Sequence, residues 1–332
     1  MTPLDDFARI FQMPPAMLPH IEFVAQEQEI ALVVALGDGP LSPEQITEKL
    51  ALPPGEAEAL LHDAYTRSIV NREAVDGVMT YTHATFSERL DPLSMYESWR
   101  AVPAEARAVV VQWQFEEFIK MWQPEVEALL VDPDKPTSIP NRDVLLLAEA
   151  LAMVDAASEY VVVPCDCRSI VMACDQPRET CIRLDEDARK TLERGHGRRL
   201  TQDEMREVVI KANKAGLMAS GDRSWREHGG PSGFCNCCAC DCYPFRAGER
   251  LGVQQRWPRS HYIASRDMAK CGQCGKCVRR CHFDAFYHDG TKTLVNGKRR
   301  KTVQFDPLKC WGCGLCATTC PDEAISMVDL SP

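Results

Sequence analysis

A chain of 332 residues, 45% hydrophobic and 26% charged, has room for two or three domains with separate cores. No run approaches the roughly 18 apolar residues of a membrane-spanning helix, and Met1 to Gln12 lacks a basic-then-apolar export pattern, so a cytoplasmic location is expected. The net charge of −10 is unevenly spread: residues 1–140 hold 9 basic and 23 acidic side chains, the remainder 29 and 25. An acidic front half and a slightly basic rest either attract each other or present unlike surfaces to partners.

After a leader broken at Pro14-Pro15, apolar periodicity predicts a helix from about His20 to Leu36, ended by Gly37-Asp38-Gly39. Ser42-Pro43-Glu44-Gln45 reads as a capping box with proline at the first helical position, opening a helix that stops after Leu50 at Pro53-Pro54. A third helix from about Glu56 buries Leu60, Leu61 and Ala64. An alternating run broken at Asp76-Gly77 and resumed from Val78 to Tyr81 predicts a hairpin. This order resembles the small winged-helix modules of bacterial regulators over about residues 20–90. The resemblance would imply DNA contact, but the presumed recognition helix carries Glu56, Glu58 and Asp63 with only Arg67 near its end. Phosphate contact needs a basic face, so a docking or dimerisation role is expected, with a homo-oligomer as one outcome and no nucleic-acid partner.

Pro103 to Leu130 is again helical in composition, with Trp113, Phe115, Phe118 and Trp122, and a Pro/Asp-rich linker (Val131 to Pro140) follows. Arg142 to Glu159 reads as one amphipathic helix feeding a short buried strand, Tyr160 to Val163. Thr201-Gln202-Asp203-Glu204 caps a helix that Gly216 ends, and Ser220 to Gly233 reads as loop. The expected class is α+β in four parts. A winged-helix-like domain covers 1–95, a helical connector 96–140, a mostly helical, cysteine-rich metal or cluster domain 141–260, and a ferredoxin-like domain 261–332.

The 17 cysteines all follow residue 164. An odd count in tight C-x-C and C-x-x-C spacings suits metal ligation better than disulfides, and dense thiolates select iron–sulfur clusters or zinc. Cys271-x2-Cys274-x2-Cys277-x3-Cys281 recurs as Cys310-x2-Cys313-x2-Cys316-x3-Cys320-Pro321. The repeat matches the bacterial two-cluster ferredoxins, in which the fourth cysteine of each run ligates the other cluster. By that rule Cys271, Cys274, Cys277 and Cys320 hold one 4Fe–4S cluster, and Cys310, Cys313, Cys316 and Cys281 the second. Gly272, Gly275, Gly312 and Gly314 allow close backbone approach. Two departures stand out. His282 replaces the usual proline after Cys281, where it either tunes a potential or is a tolerated substitution. Asn296-Gly297-Lys298-Arg299-Arg300-Lys301 reads as a basic hairpin tip, either a docking element for an acidic partner or a solvated turn.

Nine thiols lie outside this module: Cys165, Cys167, Cys174 and Cys181, then Cys235, Cys237, Cys238, Cys240 and Cys242. They ligate one or two further iron–sulfur clusters, or structural zinc, or a cluster with an open iron. Cys237 and Cys238 are adjacent, so one of them suits a different site. Arg168 and Arg246 flank the two groups, as charge compensators or as surface salt-bridge partners. The whole layout resembles a loosely characterised group of anaerobic bacterial iron–sulfur proteins. That resemblance implies an electron-transfer protein or redox-complex subunit relaying electrons between a low-potential donor and a redox enzyme. A reductase with a catalytic central cluster is the first alternative, with His196, His228 and His261 as candidate proton donors. A redox-sensing winged-helix regulator is the second. No glycine-rich dinucleotide fingerprint follows a strand.

Overall fold

The computed structural model describes residues 2–37, 39–132, 135 and 139–330. They form two compact units: one takes the chain up to Phe118 with Ser169–Val171 and Arg194–His196, the other the remainder. No helix among the described residues is long and apolar enough to cross a membrane.

The first unit contains α1 (Pro3–Ile10), α2 (Ile21–Val24), α3 (Glu27–Leu36), α4 (Pro43–Leu50), α5 (Pro54–Thr66), β1 (Val70–Val75), β2 (Val78–His83) and α6 (Phe86–Tyr96), followed by the start of α7 (Ala104–Val131). The box at Ser42 forms as expected: Gln45 N donates to Ser42 Oγ and Ser42 N to Gln45 Oε1. α5 buries Leu60, Leu61 and Ala64. Asp76 (φ 51°) and Gly77 (φ 79°) join β1 to its antiparallel partner β2 through two left-handed residues, the requirement of a type I′ hairpin turn. The single helix expected from His20 to Leu36 is instead broken at Ala25, which is extended. Glu29 Oε2 accepts the Gln26 N–H at 2.7 Å, so a new helix is capped there instead of the old one continuing. Of the Gly37-Asp38-Gly39 turn, Asp38 lies outside the described residues, as do five of the ten linker positions from 131 to 140.

The second unit continues with β3 (Asp143–Leu145), α8 (Leu147–Ala156), β4 (Tyr160–Pro164), α9 (Asp166–Val171, its last three residues in the first unit), β5 (Glu179–Leu184), α10 (Asp185–Glu193), β6 (Arg198–Arg199), α11 (Gln202–Ala215), β7 (Met218–Gly221), β8 (Gly233–Cys237) and α12 (Tyr243–Arg250). The central region is therefore not mostly helical. It is organised on a six-stranded sheet, order β3-β7-β8-β5-β4-β6, with every neighbouring pair antiparallel. The strands are two to six residues long, too short for a clear period-two signal. Arg142 to Glu159 likewise divides, because Leu146 N is capped by Glu149 at 2.8 Å and α8 begins only there. Asp143–Leu145 is left to pair with β7.

Alternation gives this sheet two unlike faces. Val162, Ile182, Ala219 and Phe234 face one core with Met153 and Val154 of α8 and Met205 and Val209 of α11. Val161, Val163, Cys181 and Cys235 pack on the other side with Ala188 of α10. One face is ordinary core, and the other presents thiols.

The chain ends in β9 (Tyr262–Arg266), α13 (Lys276–Arg280), β10 (Phe286–Val295), β11 (Lys298–Phe305), α14 (Leu315–Thr319) and β12 (Ile325–Asp329). β9 pairs antiparallel with β12, and β10 with β11. Asn296 (φ 50°) and Gly297 (φ 72°) form the expected tip of the second hairpin, and Lys298, Arg299, Arg300 and Lys301 are exposed on it.

Candidate metal centres

The two cysteine repeats take the same local form. Gly275 (φ 69°) and Gly314 (φ 72°) are left-handed N-caps of α13 and α14; Cys277 and Cys316 lie buried within those helices, and Cys281 and Cys320 are their C-caps. One residue before Cys274 and Cys313, Gln273 (φ 53°) and Gly312 (φ 65°) are also left-handed. The non-glycine at the first of these positions is held by its side chain, which accepts the Val303 N–H at 2.7 Å. Gly312 has no such latitude, since a Cβ there would lie 2.3 Å from Tyr262 O. Gly312→Ala is expected to displace this loop at a cost of about 1–3 kcal/mol and to remove about four irons, as iron analysis of the purified protein would show.

Pairing of β9 with β12 joins the two ends of the module. Cys271, Cys274, Cys277 and Cys320 line one small pocket with Val303 and Ile325. Gly272 N donates to Asp322 Oδ2 at 3.1 Å, and Ala324 N to Cys320 Sγ at 3.3 Å. The thiols of the other repeat also act on one another. Burial pushes the Cys313 thiol up to about 12, and Cys310 and Cys281 add to it; Cys316 is raised by burial and by Cys313, Cys310, Cys281 and Cys277. Cys277 is pushed up to about 11 by burial, with Cys271 and Cys274 contributing. Thiols crowded in this way surrender their protons to a metal, so both sets suit a cationic cluster core. His282 serves as a strut: its Nε2 donates to Gly216 O at 2.6 Å, where α11 ends.

The nine central thiols separate into six and three. Cys165, Cys167, Cys242, Cys237, Cys235 and Cys181 form a closed ring of neighbouring sulfurs, with Cys181 and Cys235 at 3.8 Å. The fold explains the spacing. Cys235-x-Cys237 puts both thiols on one face of β8, Cys181 is beside them on β5, Cys165-x-Cys167 turns the corner from β4 into α9, and Cys242 caps α12. Around the ring the thiols alternate. Hydrogen bonds from Cys167 and Cys181 hold Cys165 well below an ordinary thiol, and those from Cys181 and Cys237 do the same for Cys235. Burial opposes the lowering at Cys242, but Cys167 and Cys237 hold it at about 6. The intervening Cys167, Cys181 and Cys237 are raised by donating to them. Six soft donors exceed the four of a single tetrahedral ion and suit a polynuclear centre.

Cys174, Cys238 and Cys240 form the other group, joined by a residue the sequence reading passed over, Asp241. Cys237 and Cys238 thus do serve different groups. The only sequence signal for Asp241 was its place between Cys240 and Cys242. Arg168 is fully buried, so the surface salt-bridge reading fails for it. Burial works against its charge, but Cys165 and Cys238 outweigh that and hold the guanidinium more firmly protonated. Arg183, also passed over, is raised in the same way by Cys235 and Cys181 against the effect of burial. Burial, with Cys165 and Cys235, pushes Asp166 up to about 7.

The three histidines do not converge on the thiols. His196 belongs to the first unit and stacks on Tyr96 at 4.7 Å. His261 Nε2 pairs with Asp143 at 2.7 Å. His228 Nδ1 pairs with Asp222 at 2.5 Å, and this histidine lines a cleft that also reaches Cys235.

Comparison with known proteins agrees with the C-terminal geometry. Residues 270–324 match the 4Fe-4S dicluster domain. The chain is 34% identical over 87 residues to indolepyruvate oxidoreductase subunit IorA of Pyrococcus abyssi, covering 26% of this chain and 12% of that protein. It is 34% identical over 70 residues to polyferredoxin protein MvhB of Methanothermus fervidus, covering 20% and 17%. It is 36% identical over 66 residues to the archaeal-type glutamate synthase [NADPH] of Thermotoga maritima, covering 20% and 11%. The chain thus spans less than a fifth of these relatives' own lengths, and no solved structure matches it. Its C-terminal segment is a 4Fe–4S dicluster ferredoxin domain, and the chemistry it brings is electron transfer through iron–sulfur clusters.

Proposed function

We propose that the chain is an electron-transfer subunit in which the dicluster domain exchanges electrons with a polynuclear iron–thiolate centre on the six-thiol ring. The supporting observation is one apolar cluster: Cys237 and Cys242 of the ring pack with Trp311 and Leu315 of the second repeat, and Cys235 and Cys313 lie against the same cluster. Trp311 stacks on Phe283 and contacts Phe245, both at 4.9 Å, so the two groups of thiols share a dry, rigid boundary. Cys271, Cys274, Cys277 and Cys320 would hold the first cluster, and Cys310, Cys313, Cys316 and Cys281 the second. Each cluster supplies a one-electron carrier when bound; the chain's part is to exclude water and fix the thiolates. The relatives' names, an oxidoreductase subunit and a polyferredoxin among them, favour a redox-enzyme partner. The exposed Lys298, Arg299, Arg300 and Lys301 suit docking to an acidic partner surface.

The ligand sets are tested by pairs of serine substitutions in anaerobically purified protein. The two clusters account for about eight irons, and Cys320→Ser should remove about four of them. Adding Cys274→Ser should remove no more, whereas adding Cys313→Ser should remove the other four. If Cys320→Ser and Cys274→Ser together empty both clusters, the crossed assignment is wrong. Iron beyond eight that Cys181→Ser removes would belong to the ring; with no iron beyond eight the relay fails and an ordinary carrier remains.

A second reading, a reductase with a catalytic centre on the ring, draws support from the cleft at Cys235, lined also by Asn141, Arg183, Asp187 and His228. Cyanide added to the reduced protein should shift the ring's EPR spectrum if an iron is open there; an unchanged spectrum leaves the carrier. For the first unit we favour a winged-helix-like docking or dimerisation module over a DNA-binding regulator. Glu56, Glu58 and Asp63 are exposed on α5, while Arg67 is tied to Glu29 and Glu97.

A further inference from the structure

We infer that Cys174, Cys238, Cys240 and Asp241 form a mononuclear site for a zinc-class divalent ion, separate from the six-thiol ring and from the dicluster domain. Their four donor atoms all lie within 4.8 Å of one another, and Cys174 and Cys238 sulfurs are 3.8 Å apart. A tetrahedral ion with bonds of about 2.3 Å to sulfur sets its thiolates about 3.8 Å from each other. A four-iron cubane carries one iron at each of four corners, so its outer thiolates must stand farther apart than those of one ion. Among the described residues, the four-cysteine sets of the dicluster domain do not converge in this way. Cys165 and Cys181 of the ring do so with Asp166, and Cys181 and Cys235 are also 3.8 Å apart. The mark of a single ion here is therefore the mutual convergence of a complete set of four donors, not the sulfur spacing alone.

The carboxylate is oriented for the task. Asp241 is fully buried; its Oδ1 accepts the Ala173 N–H at 2.9 Å, which leaves Oδ2 facing Cys174 Sγ at 3.1 Å and Cys238 Sγ at 3.6 Å. A backbone donor that fixes one oxygen while the other points among thiols is the usual outer support of a metal-binding carboxylate. Ala212 and Leu217 back the site, and Cys240 alone is exposed, which gives an ion a route in. Three thiolates and a carboxylate leave excess negative charge around a divalent ion, and the buried Arg168 beside Cys238 offsets part of it. Four protein ligands close the coordination sphere, so the ion would be structural: it pins the segment after α9 to the loop between β8 and α12, each of which adjoins elements that carry ring thiols.

The test is metal analysis of the full-length, anaerobically purified protein, with Co(II) exchanged for the native ion as a spectroscopic probe. About one zinc per chain is expected alongside the iron. Cys240→Ser, at an exposed position that should leave folding intact, and the isosteric Asp241→Asn should each lower zinc retention at least tenfold while leaving iron and sulfide unchanged. Cobalt-loaded wild-type protein should show thiolate-to-metal charge-transfer bands that shift in Asp241→Asn. Loss of about four irons with either variant would place a cluster here and overturn the inference. Zinc retention equal to wild type in both variants would overturn it as well, as would one iron and no zinc at the site or the absence of any ion beyond the clusters.

Discussion

Arg168→Met should destabilise the second unit by about 3–5 kcal/mol and strip metal from the six-thiol ring, the loss expected when one partner of a buried charged set is removed. Arg168 is 0% exposed. Its guanidinium donates to Thr180 Oγ1 and Asn236 O, each at 3.0 Å, and to Pro177 O, tying the segment before β5 to β8. It is also held charged by Cys165 and Cys238, one from each thiol group. Methionine keeps most of the volume but leaves buried acceptors without donors and thiolates without a counter-charge. Denaturant midpoints and metal content measured together check this. Arg168→Lys should recover part of the metal but not the midpoint, because an ammonium cannot reproduce the fork. A midpoint and metal content equal to wild type in Arg168→Met would refute the role.

In the first unit, Arg89→Met should cost a similar amount, about 3–5 kcal/mol. Arg89 is 0% exposed, clasps Glu97 through two nitrogens at 2.7 Å, and donates through Nε to Val24 O at 2.8 Å. Arg67 completes the network, bonding Glu29 at 2.6 Å and Glu97 at 3.3 Å. The network has a pH signature. Burial works against the Glu97 carboxylate, but Arg89 and then Arg67 outweigh it and hold its pKa below the ordinary value of 4.5. A depressed acid adds stability that is present above its unfolded pKa and lost as pH falls through its folded one. Glu29 has the opposite sign: burial pushes its carboxyl above 4.5 despite the Gln26 N–H and Arg67, so its contribution improves as pH falls toward that range. Acid destabilisation of this unit should therefore begin below 4.5 and shrink in Glu97→Gln, with Glu29→Gln steepening the net loss; thermal melts from pH 6 to pH 3 would show it.

The dicluster module was legible in the sequence because its chemistry is local. Two-residue intervals place three thiols on one turn, glycines mark three of the four left-handed positions, and the repeat announces itself. Ser42, Thr201 and the Asp76-Gly77 and Asn296-Gly297 turns were legible for the same reason: caps and turns are settled within four residues. The central sheet was not. Its strands are short, and β8 spells its alternation in cysteines, which reads as a metal motif before it reads as a strand. Spacing gave nine thiols outside the module with no rule for dividing them. Only the register of β5 against β8, and the end of β8 at Cys237, sends Cys235, Cys237 and Cys242 to a ring while Cys238 and Cys240 go to Asp241 and Cys174. Which sulfurs share a metal depends on how strands distant in sequence are paired, and the linear order of the cysteines does not contain that pairing.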